Sequence, residues 1–244
     1  MTVSETPAAE EARARSYTVL AAPGRAENVL EIKRSEFLGY AARVETEAQA
    51  REHIEAVRRG HRDARHVCTA FVLGADREVQ RSSDDGEPAG TAGIPMLQAI
   101  LAHRAPLTAG GPAAEGERAD LSDVCVAVVR YFGGIKLGAG GLVRAYTDAV
   151  ASTLDAADLA RRARLRRGAI EASHADAGRL ENELRSAGYT VLGTDYEAAH
   201  AVLRLAVRDR PEDLAEAERH LASLTAGRRE LAWAGTDWID LPLG

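Results

Sequence analysis

The sequence predicts a two-domain α+β protein. Its 244 residues are 45% hydrophobic, which is enough for one large or two small buried cores. Strand patterns alternate with helical patterns in the first part of the chain, and a second series of strand, helix, strand, strand, helix and strand begins near residue 162. This second order is that of a ferredoxin-like split βαβ unit. We therefore expect a disordered head at 1–15, a first domain at 16–161 and a ferredoxin-like second domain at 162–244.

Composition and charge exclude several classes of protein. The formal net charge of −6 argues against a protein that coats nucleic acid nonspecifically, because such binding depends on many Lys and Arg contacts. No apolar run is long enough to span a bilayer or to serve as a signal peptide, so we expect a cytosolic protein. Cys68 and Cys125 are the only cysteines, which excludes a disulfide scaffold and a cysteine zinc module.

The first domain begins with three strand patterns, "YTVLAA", "NVLEIKRS" and "FLGYAARV", which together predict an antiparallel meander. Next, "TEAQAREHIEAVRRGH" predicts an amphipathic helix with Thr46 as its N-cap, because Ala50, Ile54 and Val57 share one helical face. "HVCTAFVLG" and "EVQRS" then predict a hairpin.

A second helix is predicted in "GIPMLQAILAHRA", with Pro95 in its first turn. "DVCVAVVRYFG" reads as a central strand buried on both faces, and the intervening residues 108–120 as a surface loop. A third helix is expected from Gly141 to Ala163. In the second domain Pro211 suits a helix start and Gly227 a helix stop.

The third helix is preceded by a segment that we call the glycine loop, residues 133–141. Glycines adopt positive φ and let backbone N–H groups approach a ligand, and the helix that follows presents its unsatisfied N–H groups to the same space. This arrangement suits an anion such as phosphate, although a tight turn without a ligand explains it equally well. It matches neither a Walker loop nor a dinucleotide-binding loop. The candidate anion-binding residues are Arg130, Gly133, Gly134, Lys136, Gly138, Gly140, Gly141 and Arg144.

A second loop, the acidic loop of residues 81–95, concentrates Asp84, Asp85 and Glu87 before another helix start. Three neighbouring carboxylates suit Mg²⁺ or an acid/base pair, but Asp in turns and Thr91 as an N-cap would explain the same pattern. Because both loops precede helices, we expect them to share one cleft. That cleft would be lined by His66, Asp84, Asp85, Glu87, Thr91 and Tyr131.

His66 and Cys68 alternate along one strand and therefore point to the same face. A catalytic thiol would need a base beside it, whereas a small buried thiol is common in an apolar strand. Five arginines between Arg161 and Arg167 predict either a solvated linker or strand face, or a nucleic-acid patch.

Three motifs, "HVCTAF", "QRSSDDGEPAGTAGIP" and "VVRYFGGIKLGAGGLVRAYTDAV", resemble those of the YigZ/Impact family. The resemblance covers the chain from about Tyr17 to Ile239. It implies a β-α first domain like the second domain of a small-subunit ribosomal protein, and a ferredoxin-like second domain similar to those of elongation factor G. It also implies a link to translation, because the eukaryotic relative acts through a partner that controls starvation signalling.

We therefore expect a cytosolic binding protein in translation or stress regulation, which binds RNA phosphate or a phosphorylated small molecule between the two loops. RNA, the ribosome and a regulatory protein are the expected partners, and no cofactor, resident metal or membrane is expected. A metal-assisted hydrolase or phosphotransferase using the same cleft is one alternative. A protein-interaction adaptor with purely structural loops is the other.

Overall fold

A computed structural model describes residues 14–106 and 117–242. Residues 1–13 of the predicted head, and 108–116 of the predicted surface loop, lie outside this description. The described chain forms two units, which divide after Arg162, and the first unit also takes in the end of the chain from Asp240. Within the described ranges no helix has the length and apolar character needed to cross a membrane.

The first unit contains a five-stranded sheet of order β2, β3, β8, β4, β5, in which each neighbouring pair is antiparallel. Its strands are β2 (Arg25–Ile32), β3 (Ser35–Arg43), β4 (His66–Leu73), β5 (Val79–Ser83) and β8 (Val124–Tyr131). Its helices are α1 (Glu47–Gly60), α2 (Gly93–Ala102) and α3 (Ala139–Asp155). A short pair, β6 (Ala105–Pro106) and β7 (Glu117–Arg118), makes a separate ladder.

Helices cover both faces of this sheet. On one face, α2 and α3 pack over the main core, which includes Phe37, Met96 and Tyr146. On the other face, α1 contributes Ala50 and Val57 to two smaller clusters. The central strand β8 is buried along almost its whole length, as its apolar sequence predicts.

Several predicted elements are confirmed. Thr46 is the N-cap of α1 and forms a capping box with Gln49, because each side chain accepts from the backbone of the other residue. β4 and β5 form the predicted hairpin. The meander is only partly correct: β2 and β3 pair, but β1 (Ser16–Leu20) pairs with β9 in another sheet. Strand alternation alone does not name a partner.

The third helix is shorter than predicted. It ends at Asp155 rather than Ala163, and β9 (Leu159–Ala172) begins soon afterwards. Buried Ala163 and Leu165 alternate with the more exposed Arg162, Arg164 and Arg166, which is the pattern of a strand. The predicted boundary at 162 therefore falls inside a strand.

The second unit has the order β9, α4 (His174–Ser186), β10 (Thr190–Tyr196), β11 (Ala201–Arg208), α5 (Pro211–Thr225) and β12 (Ala232–Pro242). The strands of this unit have the order β12, β9, β11, β10, as in a ferredoxin-like split βαβ fold, and β1 is the fifth strand of the same sheet. Pro211 stands in the first turn of α5, and Ala226 and Gly227 end that helix with positive φ. The chain is therefore the predicted α+β protein.

The arginines between Arg161 and Arg167 all contact oxygen atoms of the protein itself. Each of the five guanidinium groups lies within 2.6–3.6 Å of a protein oxygen. The pairs are Arg161 with Asp120, Arg162 with Asp240, Arg164 with Thr236, Arg166 with Asp209 and Arg167 with Asp237. These contacts agree with the strand-face interpretation of the run.

Candidate functional site

Three glycines of the glycine loop are required by its backbone. A Cβ atom at Gly133 would lie only 1.9 Å from the carbonyl oxygen of Arg34. Gly134 and Gly138 have φ values of 86° and 71°, which side chains rarely adopt. These positions explain why the loop is glycine-rich without any ligand.

Two further glycines lie in the first turn of α3. A Cβ at Gly141 would lie 3.0 Å from the Leu137 Cβ, which is a tight contact, but the surroundings give no such reason for Gly140. A Cβ at Gly140 would meet nothing within 4 Å, and Gly140 is exposed. The N-cap, Gly138, provides no side-chain hydrogen bond, and the first turn contains no acidic residue. The start of α3 is therefore bare backbone facing open space. Glycine in a helix costs roughly 0.5–1 kcal/mol relative to alanine, so the choice lowers stability.

Basic side chains flank this bare helix start. Lys136 precedes it and Arg144 follows in its second turn, and both are exposed. Across residues 14–106 and 117–242, neither forms an ion pair with a carboxylate. An anion at the start of α3 would therefore have backbone N–H groups and two free cationic side chains within its own segment of chain.

In the acidic loop, Asp84 serves as a cap. Its carboxylate accepts hydrogen bonds from the backbone N–H groups of Gly90, Ala92 and Gly93, at 2.8–3.0 Å. Partial burial opposes ionisation, but these three bonds hold the pKa of Asp84 below its ordinary value. The predicted N-cap role of Thr91 is wrong: its hydroxyl donates to the Pro88 carbonyl, and Ala92 is the N-cap.

Asp85 joins the acidic loop to β4 and α1. Its carboxylate accepts from the Val67 N–H at 2.8 Å and from Arg58 Nη2 at 3.1 Å. Its carbonyl oxygen lies 2.9 Å from His66 Nδ1, which must be the donor because a carbonyl only accepts. His66 is thereby fixed against the acidic loop rather than beside a reactive thiol.

Glu87 connects the acidic loop with the strand and helix on either side of the glycine loop. Its buried Oε1 accepts from Arg130 Nη1 at 2.6 Å and from the Tyr146 hydroxyl at 2.8 Å. The Arg130 guanidinium lies 5.5 Å from the ring centre of Phe37 and 5.6 Å from that of Phe132. Arg130 Nε is buried with no hydrogen-bond partner among the residues described.

Cys68 is enclosed by the same network. Its sulfur lies 3.0 Å from the Asp84 carbonyl oxygen and 3.3 Å from the Tyr146 hydroxyl. Burial is the main cause that raises the pKa of Cys68 to about 12. The thiol is therefore protonated at neutral pH and is a poor nucleophile.

Tyr131 lies on the opposite face of the sheet from Arg130, because neighbouring residues of a strand point to opposite sides. Its hydroxyl donates to Asp63 Oδ1 at 3.0 Å and lies 3.0 Å from His61 Nδ1. His61 Nε2 lies 2.8 Å from the Tyr40 hydroxyl. Tyr131 thus belongs to a separate polar cluster and does not meet the other candidate residues.

The three carboxylates of the acidic loop diverge toward different protein donors. Asp84 faces backbone N–H groups, Asp85 faces β4 and Arg58, and Glu87 faces Arg130 and Tyr146. In the described part of the chain, no three His, Cys, Asp or Glu side chains are grouped to hold a metal ion. The arrangement supports the capping interpretation of this loop.

Sequence reasoning missed three contributors to this region. Tyr146 completes the Glu87 network from α3, and Phe132 is 54% exposed immediately before the glycine loop. Lys33 and Arg34 form the turn between β2 and β3, which packs on Gly133. In the sequence, this turn is marked only by two adjacent basic residues inside a strand pattern.

The fold and these two loops define a two-domain α+β protein of a recognisable class. Residues 33–154 match the Impact N-terminal domain, and residues 170–228 match a domain of unknown function, DUF1949. The chain is 38% identical to IMPACT family member YvyE of Bacillus subtilis, over 74% of this chain and 75% of that protein. It is 34% identical to IMPACT family member YigZ of Escherichia coli, over 88% of this chain and 97% of that protein.

Among solved structures, a crystal structure of a hypothetical protein matches 89% of this chain and 97% of its own. The TM-score is 0.53 and the sequence identity is 32%. The chain therefore belongs to the IMPACT family, and its similarity to the family extends over both units.

Proposed function

We propose that the protein binds a phosphate group, carried by RNA or by a phosphorylated small molecule, at the start of α3. This binding would serve the role in translation or stress regulation that the family resemblance implies. The bare first turn of α3, with Lys136 and Arg144 beside it, supports this proposal.

One comparison within the protein carries the proposal. Both α2 and α3 begin at a loop rich in glycine, and neither has an N-cap side chain of its own. At α2, the Asp84 carboxylate accepts from the first N–H groups, including those of Ala92 and Gly93. At α3, no acidic residue lies in the first turn. An external anion at α3 would take the place that Asp84 takes at α2, and helix N-termini favour negative charge.

The carboxylates argue against the hydrolase alternative. A general base needs a free acceptor, and a hydrolytic Mg²⁺ needs several oxygens directed at one point. The acidic loop instead directs its carboxylates to separate internal donors. We therefore propose a binding protein rather than an enzyme.

A protein-interaction adaptor is the second candidate, because apolar side chains are exposed on the same segments. Ile94 lies in the first turn of α2, Phe132 and Ile135 lie at the glycine loop, and Val143 lies on α3, with exposures of 38–54%. Such side chains suit a protein partner. If the loops serve only this purpose, the protein will bind neither pyrophosphate nor RNA.

Isothermal titration with inorganic pyrophosphate at constant ionic strength tests phosphate binding. We expect binding by the wild type, and Lys136→Ala should weaken it roughly 10- to 150-fold, as expected for the loss of one hydrogen bond to a charged group. Arg219→Ala is the matched control, because Arg219 is an exposed arginine on α5 of the second unit. Equal affinity in wild type and Lys136→Ala would contradict the proposal.

A further inference from the structure

The turn between β2 and β3 has a backbone that its residues do not favour. Ile32 pairs with Ser35, so Lys33 and Arg34 are the two central residues of the hairpin. Their φ values are 48° and 65°, as in a type I′ turn, where Asn and Gly are preferred. Two long basic residues are therefore kept where smaller ones would be more stable. Strain of this kind is often associated with function.

This turn lies directly against the glycine loop. The Arg34 carbonyl occupies the space beside Gly133 where a Cβ would clash, and the Gly133 N–H donates to Ser35 Oγ at 3.2 Å. The segments that carry the chain's only lysines, Lys33 and Lys136, therefore contact each other at Arg34 and Gly133.

Lys33 and Arg34 are both exposed. In the part of the chain that is described, neither pairs with a carboxylate. The arginines between Arg161 and Arg167 are the contrast, because each of those contacts a protein oxygen. The basic turn therefore extends the positive charge of Lys136 and Arg144 beyond the start of α3.

The aromatic ring of Phe132, immediately before the glycine loop, is 54% exposed. Phe132 directly follows β8 and has the Arg130 guanidinium 5.6 Å from its ring centre. Because Glu87 binds Arg130, this support is fixed. Phe132 also precedes Gly133, on which the turn of Lys33 and Arg34 packs. An exposed ring in a segment with unpaired cations is a combination with which proteins bind single strands, by stacking bases while the cations contact phosphates.

We propose that the ligand of the glycine loop is single-stranded RNA, with Lys33 and Arg34 contacting phosphates and Phe132 stacking on a base. This inference rests on the proposed phosphate binding at the start of α3 and extends it to a ligand of several nucleotides. A duplex would not offer an unpaired base to Phe132, and an inorganic anion would gain nothing from the ring.

The test measures the anisotropy of a fluorescein-labelled oligouridylate as a function of salt concentration. The variant Lys33→Asn/Arg34→Gly supplies the residues that a type I′ turn prefers, so it should raise the melting temperature. It should also make the slope of log K against log salt shallower by about 1.4, that is, about 0.7 for each lost charge. Relative to binding at about 1 M salt, this slope change makes binding at about 0.1 M salt about 25-fold weaker. A residue with only a structural role would not make the protein more stable and the complex weaker at once.

Two more variants separate charge from stacking. Lys33→Ala, which leaves Arg34 on the glycine loop, should reduce the slope by about 0.7. Phe132→Leu should weaken RNA binding roughly 5- to 150-fold without changing the slope, because it removes a stacking surface and no charge. The control Arg208→Ala/Arg219→Ala removes two exposed arginines from the second unit and should change neither quantity.

The outcomes distinguish this inference from the proposed function. If Lys136→Ala weakens pyrophosphate binding but the turn variants and Phe132→Leu bind RNA as wild type does, the inference is wrong and the proposed function remains. If the wild type binds neither probe, both are wrong. Equal affinity for a duplex of the same length would also overturn the single-strand assignment.

Discussion

Replacing Gly140 by Glu should both stabilise the protein and weaken its anion binding. Gly140 is exposed in the first turn of α3, and a Cβ there would meet nothing within 4 Å. Replacing glycine inside a helix contributes about 0.5–1 kcal/mol, and a carboxylate in the first turn contributes about 0.3–1 kcal/mol. The free energy of unfolding should therefore rise by about 1–2 kcal/mol, and the melting temperature by about 2–8 °C.

The same carboxylate should repel the ligand. Two like charges about 4 Å apart repel each other by about 1 kcal/mol in water and by about 4 kcal/mol near a protein surface. Affinity for pyrophosphate, measured by isothermal titration, should therefore fall between about fivefold and a thousandfold.

Gly178→Glu provides the control for this experiment. Gly178 is exposed in α4, again with nothing within 4 Å of a Cβ, but it lies beyond the first turn of its helix. It should raise stability by about 0.5–1 kcal/mol and leave anion binding unchanged. Wild-type affinity in Gly140→Glu would refute the reasoning, and so would a loss of stability in that variant.

The other predictions concern the acidic loop and the cysteines. Asp84→Ala should lower the free energy of unfolding by about 1–3 kcal/mol, measured in urea, because three N–H groups lose their acceptor. Since the pKa of Asp84 is lowered in the folded state, its charge stabilises the protein fully above about pH 4, and this contribution is lost as the pH falls through the folded pKa. Asp84→Asn should remove that part of the pH dependence of the free energy of unfolding. Millimolar Mg²⁺ should leave the melting temperature unchanged, whereas a shift abolished by Asp85→Asn would revive a metal site. Iodoacetamide should modify Cys68 and Cys125 only after denaturation, because burial raises the pKa of each thiol to about 12; rapid labelling of the native protein would contradict this.

Local signals predicted much of the fold. Thr46 and Pro211 mark helix starts because capping and the fixed φ of proline act within a few residues. The buried strand β8 is equally evident from its apolar run. The partner of β1 and the end of α3 at Asp155 were missed, because both depend on contacts with distant segments of the chain.

The candidate site was less predictable for the same reason. The sequence identified the two loops, and the Glu87–Arg130 pair now links the acidic loop to the strand before the glycine loop. It did not identify Asp84 as the cap of α2, because the carboxylate reaches eight and nine residues along the chain. The packing of the Arg34 turn on Gly133 joins residues about a hundred positions apart, which no local pattern reports.

Amide chemical shifts provide the most direct test of phosphate binding at the start of α3. During a pyrophosphate titration at constant ionic strength, the ¹⁵N–¹H signals of Ala139, Gly140 and Gly141 should move together and saturate. Those of Ala92 and Gly93 should stay in place, because Asp84 already accepts their hydrogen bonds. Shifts confined to other segments, or no shifts at saturating pyrophosphate, would contradict the assignment of the site to α3.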